Sequence, residues 1–431
     1  MKKGKKFIVL CCLFCMMAAF AFANGSNEAK SSSAGGDENV ILRFYFPIGT
    51  AGDLANLMNR LCAQYSETHS NVIVEPIFAG DYVQTMQRTL TSSKAGNPPD
   101  LALLTSADVW TSVDEGIIIP LQPFIDAEGA GFMDRYFQGF LDDAKVAGEY
   151  YAMPFQKSTP IFYYNKDMFK KAGLDPNKPP TTWEEMKAMA EKLTIPGVRY
   201  GVEIPIDQWL MSIFILQNGG QINNIEGDQT YLDSPEAIEA MEFVLSMVQN
   251  GSMPAKRLFG DASADFVAGK TAMMYNSTGS MSFVRDSASF DWNVAYLPAN
   301  VEQIVATGGG QFVICKDTSP ARQQAAWDFI KWMTAPEQTA QWSMGSGFVA
   351  VSPEAFELPV MQEYTAKLPQ ALVARDQLAY AVGEPPKTHE ARQISQLMAT
   401  TFESILAGKT SPSDGMKSLQ AGADRILSKY R

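Results

Sequence analysis

Histidine is almost absent from this chain: His69 and His389 are the only two in 431 residues. Neither has an acid or cysteine beside it at metal-ligand spacing, so no zinc motif can be read. Cysteine is scarce as well, five in all, and Cys11, Cys12 and Cys15 fall inside the apolar opening. Cys62 and Cys315 are the only others; an oxidising compartment would allow them to pair, but two buried free thiols are the expectation. There is no G-x-S-x-G elbow, no H-E-x-x-H and no phosphate loop. Gly308–Gly310 comes before an apolar run rather than after one, so it is no dinucleotide fingerprint. Basic residues are outnumbered 35 to 47, for a formal charge of −12, which argues against nucleic acid or an anionic membrane surface as partner. No cofactor is called for. Carboxylates are plentiful, so composition alone leaves a glycosidase-type acid pair open.

The amino end reads as a secretion signal over 1–23. Lys2, Lys3, Lys5 and Lys6 precede an apolar run, and Ala21-Phe22-Ala23 forms a small-residue cleavage site. The run is too short for the ~20 residues of a spanning helix. Cleavage after Ala23 is expected, with lipidation at Cys15 a minor alternative. Residues 24–39 are rich in Ser, Gly, Ala and Glu and read as a disordered tether. The chain beyond the tether is long enough for two lobes, each with a sizeable core.

The chain is organised around Pro154–Asp175, PFQKSTPIFYYNKDMFKKAGLD. Pro154–Pro160 is an extended polar segment, Ile161–Tyr164 a buried strand, and Asn165–Asp167 a turn and cap before a short helix ended by Gly173. A polar crossing that feeds a buried strand suits a hinge. Upstream, VILRFYF (40–46), a helix over 54–66, a strand over 72–78, a helix from Gly80-Asp81-Tyr82 and the strand LALL give an open α/β sheet. Its post-strand loops 47–53, 80–82 and 105–108 are the rim where ligands sit in such sheets. Downstream, Thr182 and Glu185 form a capping box for a helix to Leu193, and Gly201–Trp209 places Trp209 at a strand end. Asp233–Val248 is an amphipathic helix, and Asn276–Ser280 is a small polar loop after a strand. Trp292–Leu297 is expected to cross back to the first lobe. Gly308–Ile314 reads as a first-lobe strand, Ala321–Met333 and Pro336–Trp342 as helices, and Gly345–Val349 as a further crossing. The expected lobes are therefore 40–153 with 298–346, and 154–297 with 347–431.

STPIFYYNKDMFKKAGLD, PPTTWEEMKAMAEKL, DFVAGKTAMMYNSTGS, GGGQFVI, WDFIKWMTAPEQTAQW and FESILAGKTSP occur in that order. Together they resemble the extracellular solute-binding proteins of bacterial ABC importers, within them the carbohydrate and glycerol-3-phosphate binders. The resemblance implies a two-lobed α/β periplasmic-binding-protein fold of type II, with discontinuous lobes and a ligand cleft between them. It also implies a monomer that captures a small molecule without catalysis and delivers it to ABC permease subunits.

Residues of the family's pocket carry over where they match. They are Tyr82 after the second strand, Ser158 before Thr-Pro, Trp209, Gly309 with Gly310, and the polar loop through Thr278 and Ser280. An acidic position of the family holds Ser106, with Asp108 close behind. Phe348 stands where the family has a tyrosine, and Ile206 near a second tryptophan. The phosphate-binding arginine has no clean counterpart among Lys387, His389 and Arg392. These departures put a small carbohydrate or polyol ahead of a polyol phosphate such as glycerol-3-phosphate or a glycerophosphodiester. Sugars stack a CH face on Trp or Tyr while fixed polar groups take their hydroxyls. The rival readings are a secreted glycoside hydrolase and a receptor subunit for sensing.

Overall fold

Alternating β-branched and aromatic runs build two separate sheets. The computed structural model describes residues 39–47, 54–255 and 258–431. The expected signal over 1–23, the tether up to residue 38 and the loop residues 48–53, Asp53 among them, lie outside the described residues. Nine strands make up the two sheets. They are β1 (Val40–Phe46), β2 (Val72–Phe78), β3 (Leu101–Leu104), β4 (Met153–Ser158), β5 (Pro160–Asn165), β6 (Tyr200–Glu203), β7 (Thr271–Ser277), β8 (Trp292–Ala295) and β9 (Gly308–Ile314). The first sheet runs β2-β1-β3-β9-β4 and the second β8-β5-β7-β6.

Side chains alternate across each sheet, as a two-residue period requires. Leu101, Leu103, Phe312 and Ile314 enter one core, while Ala102, Leu104 and Val313 enter another beneath Trp110 and Met86. In β5, Ile161 and Tyr163 face the core shared with the first sheet. Phe162 and Tyr164 face the second lobe's helices. Helices 183–193, 208–217, 235–249, 391–406 and 412–427 supply that second core. Cys62 and Cys315 are both buried free thiols, as expected.

Three details differ from the sequence reading. β4 bonds to β9 in the first sheet, so the chain passes between sheets at Thr159 rather than at the expected boundary after Met153. Trp209 is not at a strand end: Asp207 accepts the Leu210 amide at 3.0 Å and starts the helix Gln208–Gln217, which carries Trp209 in its first turn. Trp292–Ala295 is still a second-sheet strand, paired with β5, and the return crossing comes later, at Thr307. The capping box on the helix Trp183–Leu193 is present, with Glu185 reaching back to Thr182.

Candidate ligand-binding site

The crossings between the sheets meet at a buried ion pair. Lys157 Nζ lies 2.7 Å from Asp143 Oδ2, and both side chains are 0% exposed. Asp143 also accepts the Thr307 hydroxyl at 2.5 Å and the Glu384 amide at 2.6 Å, while its backbone carbonyl accepts Gln311 Nε2 at 2.7 Å. Burial alone would raise the Asp143 carboxyl, but Lys157, Lys387 and the Thr307 hydroxyl hold it below the ordinary range. The third crossing joins the same point, because the Val349 amide donates to the Lys157 carbonyl at 2.9 Å. Gln377 reinforces the first crossing, donating to the Pro160 carbonyl at 2.7 Å and accepting the Leu297 amide at 2.8 Å.

Beside this knot the three glycines of β9 admit two aromatic rings. A side chain on Gly308 would stand 2.6 Å from the Trp209 ring, and one on Gly310 would stand 3.3 Å from Tyr82. Gly309 has φ +92°, and a Cβ there would sit 2.0 Å from the Gln156 carbonyl, so only glycine fits. Between Gly310 and Gln311 the register shifts, Phe155 of β4 being the extra residue, and Gln311 then faces Pro154, which has no amide to donate. Trp209 Nε1 donates to the Thr307 carbonyl at 2.9 Å, and Gln156 Nε2 donates to the Tyr82 hydroxyl at 2.7 Å. Burial raises the Tyr82 phenol well above its usual value, and the nearby Glu384 and Asp108 charges add to that.

Ser158 lies in the same row, nearly buried and paired in register with Gly308. Asp108, fully buried, accepts the Thr105 hydroxyl at 2.8 Å and sits 3.5 Å from Arg392. Burial raises its carboxyl against the pull of Arg392 and Thr105. Ser106, in the same helix turn, is fully buried, and its hydroxyl has no partner. Tyr82, Asp108, Ser158, Trp209, Gly309 and Gly310 thus share one seam between the lobes.

The remaining sequence candidates are placed differently. Thr278 is anchored through its amide to the Thr159 carbonyl at 2.9 Å, and its hydroxyl is buried without a partner. Ser280 donates to Asn276 Oδ1 at 3.0 Å, inside the second lobe's own polar network. Phe348 is 2% exposed, its ring stacked on Trp342 in the core that the first sheet shares with Ile161 and Tyr163. Of the three basic residues weighed, Arg392 reaches Asp108, Lys387 donates to the Asp142 carbonyl, and His389 hydrogen-bonds with Asp114.

Sequence reasoning missed Gln156 and Glu384. Glu384 is 7% exposed, and its Oε2 has no hydrogen-bond partner; nor do Gln156 Oε1 and Asp108 Oδ1. No local pattern announces them, since their neighbours come from distant parts of the chain. Asp207 joins the group: burial pushes its carboxyl up to about 7, against the amides of Leu210 and Trp209. Among the described residues no cluster of His, Cys, Asp or Glu has metal-site geometry.

Away from the knot, the first-lobe helix Ser106–Asp114 clasps the second lobe. Asp114 hydrogen-bonds with His389 at 2.7 Å and accepts the Glu390 amide at 2.9 Å. His389 stacks on Tyr430, with ring centroids 4.0 Å apart. Gly227, at φ +75°, leaves room for the Trp110 ring, which a Cβ would meet at 2.7 Å.

Residues 60–370 match the family model described as bacterial extracellular solute-binding protein. This chain belongs to that family. The sn-glycerol-3-phosphate-binding periplasmic protein UgpB of Pectobacterium atrosepticum is 26% identical over 402 residues, 88% of this chain and 90% of that one. Among solved structures, UgpB from Mycobacterium tuberculosis in complex with glycerophosphocholine superposes with a TM-score of 0.80 at 25% identity, over 90% of this chain and 98% of that one. A solute-binding protein from Agrobacterium radiobacter in complex with ribitol gives 0.75 at 21% identity, over 90% and 99%. Its relatives are type II, two-lobed binding proteins, and this family member has their fold. The family comprises substrate-binding proteins of importers, not enzymes.

Proposed function

We propose that this solute-binding protein captures a small, neutral, hydroxyl-rich molecule, a carbohydrate or polyol, between its lobes and hands it to an ABC permease. The observation that carries this reading is the row of buried acceptors at the seam. Gln156 Oε1 and Glu384 Oε2 have no hydrogen-bond partner, Asp108 Oδ1 has only the Arg392 guanidinium at 3.5 Å, and all three residues surround Tyr82. Buried polar atoms rarely stay unpaired, and hydroxyl groups are donors that match acceptors of this kind. Tyr82 and Trp209 supply surface for a sugar's CH face. The residues come from both lobes, so a ligand that touches all of them favours the closed form by its differential affinity. The ligand is held without turnover, by a monomer exported by its amino-terminal signal.

Glycerol-3-phosphate or a glycerophosphodiester is the second reading, favoured by the names of the relatives. A thermal-shift panel of sugars, polyols, glycerol-3-phosphate and glycerophosphocholine separates the two. A ligand at about 100 times its dissociation constant stabilises the fold by roughly 2.7 kcal/mol. A shift with a neutral member that is lost in Trp209→Ala is the expected result. A shift with phosphates only would replace the first reading by the second, and consumption of a sugar would overturn the binding role.

A further inference from the structure

Glu384 occupies a position that neither the family match nor the relatives assign. It lies in the turn after Ala381–Val382, whose two residues pair with Val305–Ala306 next to Thr307. Its amide is fixed to Asp143 at 2.6 Å, and the same loop is held to the second lobe through Lys387 and Asn223, which exchange bonds of 2.9 and 3.0 Å. The backbone is therefore tied at both ends, and the side chain has a defined direction. Oε1 faces Gln208 Nε2 at 3.5 Å, in the same helix turn as Trp209, while Oε2 has no partner. The charged neighbours are unevenly distributed. Asp143, Asp207 and Asp108 are its carboxyl neighbours and each pushes the Glu384 carboxyl up, while Lys157, the opposing cation, is already bonded to Asp143. Lys387 is turned to the Asp142 carbonyl and Arg392 to Asp108.

We infer that Glu384 is the specificity-determining residue of the seam, accepting a hydroxyl donor of the ligand and turning away phosphate esters. The inference rests on the proposed carbohydrate or polyol reading and names the group that enforces it. A phosphate placed at Oε2 would press its charge against the Asp143 carboxylate and the acceptor oxygens of Glu384, while Lys157 is bonded to Asp143, Arg392 faces Asp108 and the Lys387 ammonium is turned to the Asp142 carbonyl. A hydroxyl there donates one hydrogen bond and adds no charge.

The test compares wild type, Glu384→Ala and Glu384→Gln by calorimetry with ribitol, maltose, glycerol-3-phosphate and glycerophosphocholine, alongside ligand-free melting across pH. Glu384→Ala should weaken a neutral ligand by about tenfold, the upper end for a lost hydrogen bond between uncharged groups. Glu384→Gln keeps an acceptor that never ionises and adds an amide donor, so it should retain neutral binding and narrow the preference over phosphate esters by about tenfold, most at alkaline pH where the wild-type carboxyl gives up its proton. A wild type that takes glycerol-3-phosphate as well as ribitol, with Glu384→Gln unchanged, overturns the inference but leaves the binding role standing. If none of the probes binds, the carbohydrate or polyol reading fails and the ligand-free melts decide on Glu384. Burial first, then the Asp143 charge, raises its carboxyl well above the ordinary range, so wild-type stability should fall as pH rises past the usual carboxylate value. A flatter profile in Glu384→Gln supports its place among those charges, and an unchanged profile overturns it.

Discussion

The two fastenings along the seam are built from opposite materials. At the crossings, Lys157 and Asp143 are fully excluded from water and every oxygen of the Asp143 carboxylate is bonded. At the clasp, the His389 and Asp114 side chains are 28% and 11% exposed, and the contact is a few hydrogen bonds around stacked rings. A buried pair that loses one partner strands a charge, whereas a half-wet contact can trade its bonds for water. The difference separates the part of the seam that must persist from the part that can open. A hinged receptor needs both.

Breaking the persistent side should cost most. Lys157→Met leaves Asp143 buried and unpaired, and the expected loss is about 3–5 kcal/mol in a urea titration. Adding Asp143→Asn should recover part of it, because the stranded charge is gone. Loss of only a few tenths from Lys157→Met would remove the contrast between the two contacts.

Breaking the reversible side should cost about 1 kcal/mol. Asp114→Asn weakens the bonds to His389 and the Glu390 amide without emptying the core. Its more telling readout is shape: ligand-free protein should become more open by small-angle scattering while its melting changes little.

The pH profile sharpens the comparison from another direction. Asp143 is held below the ordinary range, so its contribution is present above the usual carboxylate value and is lost as pH falls through its lowered one. Asp207 works with the reverse sign. Raised to about 7, it contributes stability below the usual carboxylate value that is lost as pH climbs through about 7. Asp207→Asn keeps a side chain able to cap the helix and should flatten the melting profile between about pH 5 and 8. The smallest effect belongs to Lys367→Ala. Its pair with Glu363 is some 70% exposed on both sides, and its loss should leave the urea midpoint unchanged within error.

What could be read from the sequence was what short spacings encode. Thr182 with Glu185 announces a helix start within four residues, and the run from Ile161 to Tyr164 announces a buried strand. Trp209 shows how such reading slips: Asp207 was the cap that marked the helix, but the preceding β-branched residues drew the strand too far. The binding candidates Tyr82, Ser158, Gly309 and Gly310 came from resemblance, and the structure sets them in one row. Glu384 and Gln156 had no such route. The hydrogen-bond partners of Glu384 are Asp143, 241 positions away, and Gln208, 176 away, and Gln156 meets Tyr82 across 74. Folding alone brings those pairs together, and nothing local in the chain records it.

Lys157 has one further consequence. Its ammonium holds Asp143, its carbonyl holds Val349, and it precedes the crossing at Thr159 by two positions. Three separate strands of chain are thereby fastened near a single axle. Both fastenings lie beside the crossing, so a rotation about that axle leaves them intact. A small torsion near Thr159 would be magnified with distance, as in a lever, so on ligand binding probes placed far from Lys157 are expected to travel and probes placed beside it to barely move.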